Sequence, residues 1–229
     1  MAGDIIERTA AALLVDKPRT AYEHVLQTLR RAILNGDLCG GTHLIQSEIA
    51  GALGVSKTPV REALRELAAD GLVNLDAHRS GIVKELSLGE LQEIYEIRCT
   101  LEPAVLRRAW PHLTNEIVDR AGELHSRINK DSSPAQWVQS NIDFHGCVFG
   151  LAPSPRMLDI LNGLIAPWSM YVSASLRIDS YNQIRAAKGH EAILKALQDR
   201  DLEAGISANV SHLNIAYQTL ASALSISHR

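Results

Sequence analysis

Between Thr20 and Lys84 the chain is cut into short pieces, and after Ser87 it is not. This contrast restricts the possible folds more than any other feature. In the first stretch, apolar Val25, Leu26, Leu29, Ile33 and Leu34 recur at helical spacing until Asn35-Gly36 stops them, and Gly40-Gly41 prolongs the break. A short helix is predicted at Gln46–Leu53, with Ile49, Ala50 and Leu53 inward and Gly54 in the turn that follows. Ser56 is placed to N-cap the next helix, which tolerates Pro59 in its first turn and ends at Gly71. Leu72-Val73-Asn74-Leu75, a polar tip at 76–81 and Ile82-Val83-Lys84 read as a β-hairpin. From 87 to 225 long helical periods dominate, broken at Pro111, Ser132-Ser133-Pro134, Pro153–Pro155 and Asp199–Asp201, which predicts about six helices.

The organisation expected is therefore mainly α: a loose arm with a helical turn or two at 1–17, a three-helix unit with a hairpin wing at 18–84, and an all-α bundle at 87–225. The start of the chain carries Asp4 and Glu7 and does not read as a secretory signal, and no apolar run reaches the eighteen residues of a membrane span. Cys39, Cys99 and Cys147 are scattered, with no C-x-x-C pair, which fits a reducing cytoplasm rather than a disulfide framework. Net charge is -3, with eight Lys/Arg against seven Asp/Glu in 18–84 and thirteen against sixteen in 85–229. Any attraction to a polyanion must come from local arrangement.

Two short helices joined at a glycine turn form the helix-turn-helix arrangement. On the second helix Lys57, Arg61 and Arg65 are four apart and make one basic stripe, while Val60, Leu64 and Leu67 make an apolar stripe rotated by about a quarter turn. Such a helix can be held by its apolar side with its N-terminal half in a DNA major groove. Arginine takes guanine bidentately, and Ser56 and Thr58 suit phosphates or base edges. An ordinary surface helix would show the same stripe. The flanking short helix, the turn and the hairpin favour the DNA reader.

The run Ile33-Leu34-Asn35-Gly36-Asp37-Leu38, Ile49-Ala50, Leu53-Gly54-Val55-Ser56-Lys57-Thr58-Pro59-Val60-Arg61-Glu62-Ala63-Leu64 and Gly71-Leu72-Val73 resembles the GntR family of bacterial regulators. The resemblance implies a winged helix-turn-helix, with Ser56, Lys57, Thr58 and Arg61 at DNA-contacting positions and Gly81 in the wing near the minor groove. The family often has Arg where Lys57 stands. Lysine is a point charge rather than a fork, which does not suit bidentate base reading.

Asn141 and His145 are four apart on one predicted helix and share a face. His190 and His212 each lie eleven residues from Asp201, so an antiparallel hairpin places both at the same height, roughly 16 Å from the turn. Converging histidines between helices would make a bundle-core metal site. Lone histidines held by backbone or water would give the same sequence.

Residues 88–220 resemble the ligand-binding (FCD) domain of the FadR-type subfamily, in its shorter VanR-like branch. The resemblance rests on Tyr95-Glu96-Ile97-Arg98, Leu101-Glu102, Asn141, Phe144-His145, Gly189-His190, Ile193, Ala196-Leu197 and His212-Leu213. It implies a divalent ion, zinc or nickel first, held by Asn141, His145, His190 and His212. The first position is often Asp in the family. The neutral amide of Asn141 implies a weaker, more exchangeable site. The resemblance also implies that Arg98 faces an anionic effector, a small carboxylic acid. A salt bridge from Arg98 to Glu102, four residues on, accounts for that arginine equally well. Trp168 either lines the pocket or packs in the core.

These readings describe a cytoplasmic homodimeric regulator, typically a repressor, that binds a double-stranded operator and responds to a small anionic metabolite. The alternative is a metal-dependent hydrolase using the histidines. No H-E-x-x-H, G-x-S-x-G, P-loop or G-x-G-x-x-G is present, and Glu191, directly after His190, is the nearest carboxylate base along the sequence.

Overall fold

In a computed structural model of the chain, the described residues are 2–12, 20–75, 80–128, 133–178 and 181–227. Internal contacts divide it into two compact units, Met1–Leu86 and Ser87–Arg229.

In the first unit α1 (Ala2–Ala12), α2 (Ala21–Asn35), α3 (Gln46–Leu53) and α4 (Lys57–Ala69) pack on one another, and α4 also packs on a small sheet. In the segment expected as a loose arm with a helical turn or two, an 11-residue helix, α1, packs on α2 and α3 with Ile6 fully buried. Thr20 and Glu23 close a capping box at the start of α2. Gly36 ends that helix in the left-handed conformation, φ 78°. The wing is β2 (Val73–Leu75) antiparallel to β3 (Gly81–Val83). A two-residue β1 (His43–Leu44), not anticipated from the sequence, pairs with the other edge of β3 and makes the order β1-β3-β2. Residues 76–79 of the expected wing tip lie outside the described residues.

The second unit contains, among the described residues, six α-helices and one short 3-10 turn, Trp110–His112. The helices are α5 (Leu88–Ala109), α6 (Asn115–Arg127), α7 (Pro134–Phe149), α8 (Pro155–Ile178), α9 (Tyr181–Asp199) and α10 (Leu202–Ser227). Side chains of Ser87, Thr114 and Ser133 accept the N-capping hydrogen bonds of α5, α6 and α7. The core joins Val105, Leu106 and Ala109 of α5 to Leu124 of α6, Phe144 and Val148 of α7, Leu161 of α8, and Ile193 and Leu197 of α9. Each large side chain buried there contributes about 1.5–3 kcal/mol. Tyr171 of α8 fastens the start of α5. Its hydroxyl reaches the Ser87 carbonyl at 3.0 Å and a Glu90 carboxylate oxygen at 3.0 Å, and burial pushes its pKa up to about 12.

The α9–α10 turn sets the register of the site. Arg200 takes a left-handed backbone, φ 57°, unusual for a side chain of its size. Its guanidinium donates to the Leu113 carbonyl at 2.7 Å and to Asn115 Oδ1 at 2.5 Å, while Asp201 Oδ1 accepts the Ala204 N–H. These bonds over-determine the turn and offset its strain.

Candidate metal centre and DNA-reading helix

The α9–α10 hairpin brings His190 and His212 to ring centroids 4.6 Å apart. The Ser133–Gln136 capping box starts α7 at Pro134, and that start places Asn141 and His145 two and three turns along the helix. The His145 ring lies 5.2 Å from His190 and 5.3 Å from His212. One ring nitrogen from each of the three lies within 4.8 Å of the others. His190 is wholly buried, and neither of its ring nitrogens has a hydrogen-bond partner among the described residues. A buried polar group left without a partner costs about 1–3 kcal/mol. Burial, reinforced by its two neighbours, holds His145 well below the usual histidine range; burial does the same for His190, with His212 and His125 adding to it. His212 is pushed down to about 4, by burial first and by Arg98 second. All three are therefore neutral at pH 7, the form with a lone pair for a metal. The donor set and the orphaned nitrogens of His190 fit a divalent ion.

The backbone beside His190 is shaped for this cluster. A Cβ on Gly189 would lie 2.2 Å from His212 Nδ1 and 3.0 Å from its Cγ. The His212 ring thus occupies the space that any other residue at 189 would fill. Sequence reasoning gave Gly189 no role, because the reason for it lies across the hairpin. It also missed His125 of α6, whose ring meets His190 edge-on at 5.9 Å, and Trp137 of α7, stacked on His190 at 6.4 Å. No spacing along the chain links either residue to the cluster.

Arg98, buried on α5, makes the salt bridge to Glu102 that its spacing of four offers. Its Nε donates to Glu102 Oε1 at 2.6 Å, and the other Glu102 oxygen accepts from Asn209 Nδ2 at 2.7 Å. Its guanidinium also stacks 4.7 Å over the Trp168 ring. The same arginine lines a cavity of about 250 Å³ together with Asn141, His145 and Trp168. Trp168 likewise both packs in the core and lines the pocket. Phe149, Leu158, Leu161 and Ile165 supply the apolar walls. Asp143 faces outward and accepts from Gln139, and Glu191 is exposed, so neither offers a base beside the histidines.

In the first unit α4 is held by fully buried Val60, Ala63, Leu64 and Leu67. Hydrogen bonds from Tyr22 to Glu66 and from Arg30 to Asp70 tie α2 to it. Ser56, Lys57, Thr58 and Arg65 are exposed, and Arg61 is half-buried. Ser56 holds the N-cap position, but its side chain makes no capping hydrogen bond, contrary to its expected role. The hydroxyl and the first N–H groups of α4 remain available to another acceptor or donor. Gly81 sits buried in β3, where a Cβ would lie 2.7 Å from Val73 and 3.2 Å from Leu64. Packing at the base of the wing therefore already accounts for glycine there.

Comparison with known proteins matches residues 21–83 to the bacterial regulatory proteins, gntR family, and residues 93–214 to the FCD domain. The probable D-xylose utilization operon transcriptional repressor of Paenarthrobacter nicotinovorans is 32% identical over 85% of this chain and 86% of that protein. The gluconate operon transcriptional repressor of Bacillus licheniformis is 27% identical over 76% and 75%. The solved structure of E. coli McbR/YncC superposes with a TM-score of 0.73 at 22% identity, covering 88% of this chain and 99% of that one, a likeness of fold. The family model and both curated relatives are transcriptional regulators, which is the reading taken over the hydrolase. No helix among the described residues is long and apolar enough to cross a membrane. A helix-turn-helix module followed by an FCD domain places the chain in the GntR family, FadR-type subfamily, as a DNA-binding transcriptional regulator.

Proposed function

We propose that the chain is a cytoplasmic, homodimeric repressor whose operator affinity is set by a divalent ion and a small carboxylate held in its C-terminal unit. The observation that carries this reading is the convergence of His145, His190 and His212 beside a cavity that also presents Arg98 and Asn141. His145, His190 and His212, with Asn141, hold the ion, for which zinc or nickel suits the imidazole donors. The ion supplies a positive centre toward which a carboxylate orients. Arg98 receives the same carboxylate through its free guanidinium nitrogens while Glu102 and Trp168 keep the side chain in place.

The ligand contacts α5, α7 and α8, so it favours whichever arrangement of those helices fits it better. It shifts DNA binding only by its differential affinity for the two states. A coupling of about 1–3 kcal/mol changes operator affinity some 5- to 150-fold. On the DNA side Arg61 reads a base, Arg65 extends the stripe, and Lys57, Thr58 and Ser56 meet phosphates or base edges. Two copies supply two half-sites on one face of the duplex.

The test is an operator titration at fixed salt across a panel of carboxylic acids, with and without added zinc. An acid that changes operator affinity in wild type but not in Arg98→Ala supports the reading. If every acid acts equally on both proteins, Arg98 is not the effector contact.

A further inference from the structure

The cluster offers a metal no negative charge. His145, His190 and His212 are neutral, and Asn141 is an amide. Of the described residues that line the 250 Å³ cavity, Arg98 alone is charged, and none is Asp or Glu. Glu102, the one buried carboxylate among the described residues, is spent on Arg98 at 2.6 Å and Asn209 at 2.7 Å. Asp143 and Glu191 are exposed. A divalent ion at these nitrogens would thus bring two positive charges to a site where the charged side chains described around the adjoining cavities are arginines: Arg98, neutralised by its partner, and the exposed Arg185, which lines a second pocket with Asn141 and His212. Burying uncompensated charge is expensive. The cavity that Asn141 and His145 line leaves room for an anion to offset it.

Resting on the metal reading above, we infer that this chain binds its ion and an exogenous carboxylate as an interdependent pair, the carboxylate supplying the charge that Asn141 does not. Each partner raises the affinity of the other by the same factor, because the coupling is reciprocal. The ion alone is held loosely, and the acid alone finds only Arg98, whose charge Glu102 offsets. The regulator therefore reads metal and acid together. The apolar walls of Phe149, Leu158, Leu161 and Ile165 accept an acid with a hydrocarbon body.

The test measures zinc affinity of the full chain by competition with a chromophoric chelator, in a non-coordinating buffer. Zinc is titrated alone, with acetate or benzoate, and with benzamide, which has the shape of benzoate without its charge. Zinc binding is expected to tighten about 5- to 150-fold with a carboxylate and not with benzamide. Asn141→Asp is expected to bind zinc tightly without any acid and to lose most of the carboxylate effect. Wild-type zinc affinity that is unchanged by both acids overturns the pairing while leaving the metal site standing. An equal effect from benzamide overturns the charge argument. Failure of wild type and Asn141→Asp to bind zinc under any of these conditions removes the metal site itself, and the pairing with it.

Discussion

Replacing Gly189 with alanine separates a packed histidine cluster from a chance one. At an unobstructed helix interior, Gly→Ala stabilises by about 0.5–1 kcal/mol. At 189 the new methyl would lie 2.2 Å from His212 Nδ1, 3.0 Å from its Cγ and 3.2 Å from its Cβ. Turning the ring about Cβ–Cγ relieves the first contact only, and a change about Cα–Cβ relieves the first two but carries the ring out of the cluster. The contact with Cβ stays in either case, so α9 and α10 must also part slightly. Overpacking of this kind costs about 1–3 kcal/mol. The net change is a loss of up to about 2.5 kcal/mol, a fall in Tm of up to about 10 °C. The displaced ring should weaken metal binding about 10- to 100-fold, as loss of a supporting contact does at other metal sites. Gly122→Ala on α6 is the control, since a Cβ there meets nothing within 4 Å. It should raise Tm slightly. Thermal unfolding followed by circular dichroism and a zinc titration read both effects. A Gly189→Ala protein that melts above wild type and keeps its zinc affinity would refute the placement of His212 against α9.

Other outcomes follow from the same geometry. Arg61→Ala should lose about 1–3 kcal/mol of specific operator binding with its metal content unchanged, while Lys57→Ala weakens binding evenly across DNA sequences; gel-shift titrations at fixed salt distinguish them. Metal-free protein should lose stability on acidification between pH 6.5 and about 4, because the unfolded chain protonates its histidines while the folded one keeps His212 near 4 and His145 and His190 also depressed. His212 alone accounts for roughly 3 kcal/mol of that loss, and a denaturation midpoint that stays level from pH 7 to 4.5 would contradict it. Glu102→Ala should destabilise the second unit by about 3–5 kcal/mol, since it leaves the Arg98 guanidinium buried and unpaired. Chemical denaturation reads this directly, and a cost near zero would mean that water reaches Arg98 freely.

Features whose cause lies within a few residues were legible in the sequence. Gly36 and Gly54 stop their helices in the left-handed conformation where the apolar spacing runs out. The equal offsets of His190 and His212 from Asp201 anticipated their meeting, because an antiparallel hairpin converts sequence symmetry into height. Features caused by tertiary contact were not legible. The two residues of β1 form a strand only because β3 is there to pair with them. α1 owes its place to the burial of Ile6 against α2 and α3, for which no local stop or cap signal stands in the sequence. Gly189 and His125 act through neighbours on other helices. The Arg98–Glu102 bond was legible from its spacing of four, while the cavity that Arg98 lines is walled by α7 and α8 and left no local signal.

The most direct test of the metal reading is ion stoichiometry in the full chain. Wild type, His145→Ala and His212→Ala are loaded with zinc in the presence of acetate, freed of excess ion by gel filtration in the same buffer, and assayed by elemental analysis. Circular dichroism and operator binding confirm that each variant is folded. The account predicts close to one ion per wild-type chain and almost none in either variant, with both variants still binding DNA. If the two folded variants retain as much zinc as wild type, the three histidines are ordinary core residues and the proposed site is wrong.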